Sequence, residues 1–254
     1  MKKIVTIIFT TNLILFGCVE KEQGANGDGS KVKLLSTYVY EDETGHIETK
    51  TFAYDKQNRL TKINHHRMEE TNTFFYNNSG DLIKFTEEPR FGAATTHTFI
   101  KNGNIIHGTV EFGKDIETYT IELNNDGLIV KYTHANFWIA NKYENGNLLE
   151  CTFFEPNNTI FQKDTYTYDG MKSPLYHCQT PKWFLGLLLL EGYFFPVSLK
   201  NNPIQEISVE GIVTYKSDIV YTYDDDGYPI TAFVKTTALG RTETANISFT
   251  YITK

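Results

Sequence analysis

The chain offers few of the marks that identify an enzyme or a transporter. It contains no GxSxG, HExxH, P-loop or dinucleotide fingerprint. Cysteine is confined to positions 18, 151 and 178, with no CxxC or HxxxH context that would signal zinc. Positive charge is in deficit, with 24 Lys and Arg against 31 Asp and Glu and a net charge of −7. That balance argues against nucleic acid and anionic lipid as partners. The apolar run at 180–196 falls short of the roughly 20 residues of a spanning helix.

What is present begins with an export pattern. Residues 1–17 carry Lys2 and Lys3, an apolar stretch from Ile4 to Phe16 and a small residue before Cys18, the three-part form of a secretory signal. Leu15-Phe16-Gly17-Cys18 resembles the lipobox of bacterial lipoproteins, with Phe16 bulkier than that pattern usually holds. The resemblance implies lipidation at Cys18, whereas an ordinary signal peptide or an uncleaved anchor is the alternative. Stable anchoring takes two acyl chains or more, which a lipoprotein cysteine carries. Residues 18–30 then form the lipidated cysteine and a polar, Gly-containing tether with a reach of roughly 20 Å. Glu20 and Glu22 resemble the acidic signals of surface-exported Bacteroidetes lipoproteins, and Val19 is not the aspartate that retains lipoproteins at the inner membrane. The expected location is the outer membrane, lipid-anchored and exposed at the cell surface. Removing residues 1–17 leaves 22 Lys and Arg against 31 Asp and Glu, a net −9.

The region 31–254 is expected to be one β domain. Thr180–Pro196, TPKWFLGLLLLEGYFFP, reads as its single helix near 181–192, with Thr180 as N-cap, Pro181 at the first helical position and Gly192 as the stop. Trp183, Phe184, Leu185, Leu187, Leu188, Leu189 and Leu190 cover every side of it, so it should be buried all round. Burying them together with Tyr193, Phe194 and Phe195 contributes roughly 15 to 30 kcal/mol gross. In an exported chain Cys151 and Cys178 are free to pair, which would tie the helix to the sheet and add about 3 kcal/mol. A buried free thiol is the alternative.

Around that helix a phrase repeats: FAYDKQNRLTKI from Phe52, FFYNNSGDLIKF from Phe74, TFIKNGNIIHG from Thr98, IELNNDGLIVKY from Ile121, NKYENGNLLECTF from Asn141, YTYDGMKSPLY from Tyr166 and YTYDDDGYPITAF from Tyr221. Each reads as a β-hairpin, with Asn58, Gly80, Gly103, Gly127, Gly146 and Gly170 at the turns, and a further hairpin falls at Thr44-Gly45. Two strands per phrase gives about 14 to 16 strands, more than an open sheet holds without curling. The fold class is therefore all-β, a large antiparallel meander of hairpins curled into a barrel-like sheet around one buried apolar helix. A barrel that wide has a lumen its own side chains do not fill.

Tyr54-Asp55 through Thr61 and Tyr223-Asp224 through Gly227 resemble the YD repeats of Rhs-type shell proteins. Lipobox, hairpins, MKSPLYHCQTPKWFLGLLL and SLKNNPIQEI together resemble a family of uncharacterised Bacteroidetes lipoproteins with a porin-like fold. The resemblance implies a barrel-like antiparallel sheet and supplies no catalytic residues. A membrane-spanning porin is not expected, because one strand face carries Lys, Glu, Asn, Thr and His instead of a lipid-facing apolar band.

Single residues give weaker signals. The histidines read as solvated strand residues; His65 and His66 point to opposite faces. Asp224-Asp225-Asp226-Gly227 reads as a turn, and Glu69-Glu70 and Glu87-Glu88 as charged strand ends, although paired carboxylates also serve glycoside hydrolysis. Phe91, in the loop EEPRFGAATT, and Trp138 are the candidate ligand-binding rings. Neither a catalytic set nor a metal nor a cofactor is indicated. The leading reading is a non-enzymatic envelope binding or scaffold module for a glycan or an envelope protein. A hydrolase with its site in the barrel mouth and a carrier of an apolar ligand are the alternatives.

Overall fold

The computed structural model describes residues 32–190 and 192–254, so the signal, Cys18 and the tether lie outside the described residues. The described chain forms β1 (Lys33–Asp42), β2 (Ile47–Tyr54), β3 (Leu60–His65), β4 (Glu70–Tyr76), β5 (Leu82–Pro89), β6 (Thr95–Asn102), β7 (Ile105–Phe112) and β8 (Asp115–Leu123). There follow β9 (Ile129–His134), β10 (Trp138–Glu144), β11 (Asn147–Phe154), β12 (Ile160–Tyr168), the helix α1 (Lys182–Leu190), β13 (Pro203–Glu210), β14 (Val213–Tyr223), β15 (Pro229–Ala238) and β16 (Arg241–Thr253). Each strand pairs antiparallel with its sequence neighbours, and β1 pairs with β16, Thr37 opposite Thr250, so the meander closes into a sixteen-stranded barrel.

The repeated phrase has a physical basis. Turns alternate between the two rims, and on the rim where even strands hand over to odd ones an Asp or Asn organises the turn in several phrases, following a tyrosine at Tyr54, Tyr76, Tyr168 and Tyr223. Asp55 Oδ1 accepts the N–H groups of Gln57 and Arg59 at 2.8 and 3.0 Å, and Asp224 Oδ1 those of Asp226 and Tyr228 at 3.0 and 2.9 Å. Such side-chain acceptors stand in for backbone in tight turns. The fourth residue is left-handed, Asn58 at φ 63° and Gly227 at φ 79°, which Asn and Gly tolerate. Four tyrosines at strand ends tie one hairpin to the next, while Tyr223 donates to the Asp169 carboxylate. Tyr54, Tyr76, Tyr168 and Tyr251 donate their hydroxyls to the carbonyls of Leu35, Leu60, Leu148 and Pro229, at the start of the strand paired before them, at 2.7–2.9 Å.

One phrase departs from the expected hairpin. After Tyr168 the chain leaves the sheet and returns only at β13, and the Asp169 carboxylate closes the base of the excursion by accepting the N–H groups of Met171 and Asn202 at 3.0 Å. The excursion is tied to turns on opposite sides of the barrel: the Gln179 N–H donates to Asn58 O at 3.0 Å, and Lys200 Nζ to Asn145 O at 2.7 Å.

Within the excursion α1 begins one position later than expected. The Pro181 carbonyl accepts the N–H groups of Phe184 and Leu185, so Pro181 occupies the cap position, and the Thr180 hydroxyl is used elsewhere, as the acceptor of the Leu60 N–H. The stop at Gly192 is a Schellman arrangement, with the Tyr193 N–H donating to Leu188 O and the Gly192 N–H to Leu189 O at φ 75°. The Phe184 ring meets those of Phe85, Phe99 and Phe74 at 5.0, 5.4 and 5.6 Å, and Phe194 meets Phe52 at 5.5 Å. Edge-on aromatic contacts of this kind add about 0.5–1.5 kcal/mol each beyond burial. Burial is not uniform, however: Trp183, Phe184, Leu185, Leu187 and Leu188 are buried, while Leu189 and Leu190 are only partly covered because they border a cavity.

Two histidines expected in solvent are core residues. His65 and His97 are buried, whereas His66 is exposed on the opposite face. Lys50 donates to the Tyr193 carbonyl and lies 3.2 Å from Glu48, whose carboxylate is 3.6 Å from His65 Nδ1; Asn72 Nδ2 meets His65 Nε2 at 3.2 Å. Burial and the Lys50 charge push His65 well below its usual value, so it is neutral.

Candidate functional site

The cavity lies between the β10–β13 wall and the end of the excursion. In β12, IFQKDTYTY, the period of two places Gln162, Asp164, Tyr166 and Tyr168 on one face. The register sets Glu206 of β13 opposite Tyr166, Phe153 of β11 opposite Gln162, and Tyr143 of β10 opposite Leu148. Gly186, Leu189, Leu190, Gly192 and residues 195–199 supply the facing side of this partly open cavity, whose volume is about 250 Å³. At Gly186 the helix passes close to the sheet: a Cβ there would lie 3.7 Å from Ile129 Cδ1.

Two carboxylates mark the wall. Asp164 is 5 % exposed and accepts both Gln162 Nε2 contacts, at 3.0 and 3.1 Å. Burial raises its carboxyl, against the hydrogen bonds from Ser208 and Gln162 that favour the charged form. Glu206 is half-buried; burial, reinforced by the Asp164 charge and opposed by a hydrogen bond from Tyr166, pushes it up to about 7. Burial likewise raises the Tyr143, Tyr166 and Tyr168 phenols and the neighbouring Cys151 thiol, so these stay protonated at neutral pH. The site thus joins an aromatic lining to a carboxylate that titrates near neutrality, an arrangement that concentrates at functional sites.

The rings named from sequence lie elsewhere. Phe91 is in the β5–β6 turn, 78 % exposed, with the Arg90 guanidinium 4.9 Å from its centre. Trp138 opens β10 and stacks on its cross-strand partner Phe154 at 3.7 Å and 2°, its indole N–H donating to Asn158 and the Lys131 ammonium 5.5 Å from the ring. Neither lines the cavity. Cys151 and Cys178, for which a bridge and a free thiol were both open, are free thiols in this structure. Cys151 sits by Asp164 and Glu206, and Cys178 by Tyr54, Tyr76 and Thr180, against different parts of the barrel. Among the described residues no three His, Cys, Asp or Glu are placed to hold a metal ion.

Neither protein-family models nor curated proteins match the chain. Among solved structures it is similar to a porin-like protein from Bacteroides uniformis, with 13 % identity and a TM-score of 0.41 over 86 % of this chain and 96 % of that one. A porin-like protein from Bacteroides vulgatus is similar at 12 % identity and a TM-score of 0.41, over 86 % of this chain and 99 % of that one. Both values are low, and the barrel assignment rests on the strand pairing described above.

Proposed function

We propose that the protein is a cell-envelope binding module that holds a small ligand in the cavity between β10–β13 and the end of the excursion. The observation that carries this reading is the cavity itself, about 250 Å³ with tyrosines and the Asp164 and Glu206 carboxylates on one wall. The pattern at Lys2, Lys3, the apolar run and Cys18 supports a lipid anchor at the outer membrane. Exposed Lys62, Glu88, Glu122 and Lys142 on the strands favour a barrel standing in water beside the membrane, since an outward Lys costs about 2–4 kcal/mol at the centre of a bilayer and an outward Glu a smaller amount. Exposed Phe91 is left for a larger envelope partner, a glycan or a protein.

A fragment library screened by ligand-observed NMR against wild type and Leu148→Trp tests the cavity. Leu148 lines it, and the larger ring should fill the space and abolish the hits. Hits that persist in Leu148→Trp contradict the reading. Radiolabelled palmitate incorporation that disappears in Cys18→Ser tests the anchor.

A second reading is favoured by one observation, the Glu206 carboxyl near pH 7 beside Asp164. Such a pair resembles the acid and carboxylate of a hydrolase. Turnover of chromogenic glycosides that is lost in Glu206→Gln would support it, and absence of turnover rejects it.

A further inference from the structure

We propose that the cavity selects an organic cation, an ammonium group carried on a small apolar or aromatic body. The inference rests on the reading of the cavity as a ligand site and adds the ligand's charge class.

The first ground is an imbalance of charge. Asp164 and Glu206 both line the cavity, and among the described residues no Lys, Arg or His does. The hydrogen bonds to the two carboxylates come from neutral groups, Gln162 and Ser208 on Asp164 and Tyr166 on Glu206. The charges acting on them are carboxylates too, Glu210 on Asp164 and Asp164 on Glu206. Ionising both partly desolvated carboxyls without a counter-cation is costly, which is why Glu206 holds its proton up to about 7. An anionic ligand would add to that cost and a neutral one would leave it in place, whereas a cation compensates it.

The second ground is the rings. Tyr143, Phe153, Tyr166 and Tyr168 line the same space, and Tyr166 and Tyr168 lie 6.4 Å apart at 39°. Aromatic faces attract ammonium groups, most strongly where water is excluded. The third is the end of α1. Leu189 and Leu190, in its last turn, border the cavity, and that turn has no basic residue to offset the partial negative charge of a helix C-terminus. About 250 Å³ has room for a one-ring amine.

Binding of such a cation should release a proton. At pH 7 the Glu206 carboxyl is partly protonated, and a bound ammonium favours the carboxylate. The other titratable groups around it are Asp164, whose carboxyl is also raised, and Tyr143, Tyr166, Tyr168 and Cys151, which burial keeps neutral. Affinity should therefore rise between pH 6 and pH 8 and level off above.

Isothermal titration calorimetry on the full-length chain in detergent, with benzylammonium, benzyl alcohol and benzoate at pH 7, tests the assignment. Measurements in phosphate and in MOPS give the proton count. Benzylammonium is expected to bind about tenfold tighter than benzyl alcohol or better, benzoate more weakly than either, and only the cation to release protons. Glu206→Gln, which keeps the shape, should abolish the release and most of the preference; Asp164→Asn should lower the preference in the same direction. If benzyl alcohol or benzoate binds as tightly as the amine, cation selection is overturned while the cavity stands. If no probe binds, or all bind equally to Leu148→Trp, the cavity reading falls and this inference with it.

Discussion

The Leu60 N–H donates to the Thr180 hydroxyl at 2.8 Å, a buried bond across 120 residues that fastens the start of β3 to the residue two places before α1. The Tyr76 hydroxyl lies 3.2 Å from the same oxygen while donating to Leu60 O at 2.9 Å. Excursion and sheet therefore share one polar anchor. Thr180→Val removes the acceptor and leaves a buried N–H unpaired, which costs about 1–3 kcal/mol. Urea denaturation should show that loss with an unchanged slope, and Thr180→Ser should restore most of it.

Phe184 is the ring on which the helix turns its packing, in contact with Phe74, Phe85 and Phe99. Phe184→Ala should destabilise the barrel by about 3–5 kcal/mol. A thermal melt by circular dichroism matching wild type would show that the helix does not bear on the core.

Gly108 and Tyr119 are directly opposite on β7 and β8, and a Cβ on Gly108 would lie 2.3 Å from the tyrosine ring. The ring covers the bare backbone, a device that fills the gap a strand glycine leaves. Gly108→Ala should cost about 1–3 kcal/mol through overpacking, although alanine is the better strand former. Chemical denaturation of Gly108→Ala alone and combined with Tyr119→Leu checks it, since the second change should recover part of the loss.

Glu206 makes stability depend on pH in a definite direction. Its folded carboxyl titrates at about 7, above the ordinary value of 4.5. Between those values the folded state holds more protons than the unfolded one, so this group's contribution is complete below pH 4.5 and is lost as pH rises through 7. Glu206→Gln should thus be neutral at pH 4 and stabilising by about 2 kcal/mol at pH 8, half-burial reducing the full linkage value. Equal melting-point changes at both pH values would contradict the assignment.

Much of the barrel is legible in the residues themselves. Tight turns need left-handed positions, so Asn145-Gly146 and Asp226-Gly227 announce hairpins, and the strand count follows from their spacing. The use of Thr180 was hidden, because a hydroxyl beside a helix start serves equally well as a cap or as a tertiary acceptor. The burial of His65 and His97 is not legible in the sequence, because histidine suits either face of a strand and their partners Glu48, Asn72 and Glu87 come from other strands. The cavity was less visible still. Asp164 and Glu206 meet only because the chain returns from the excursion into register with β12. QKDTYTY mixes carboxylate, amide and tyrosine at its inward positions, but β4 does the same with Glu70, Asn72 and Tyr76, so the pattern alone does not single out the cavity wall.

The most direct test of the account is a crystal structure of the protein soaked with a one-ring amine. The ligand should lie against Tyr166 with its ammonium in hydrogen-bond reach of Glu206 or Asp164. Density at Phe91 or Trp138 with the cavity left unoccupied by the amine would contradict it.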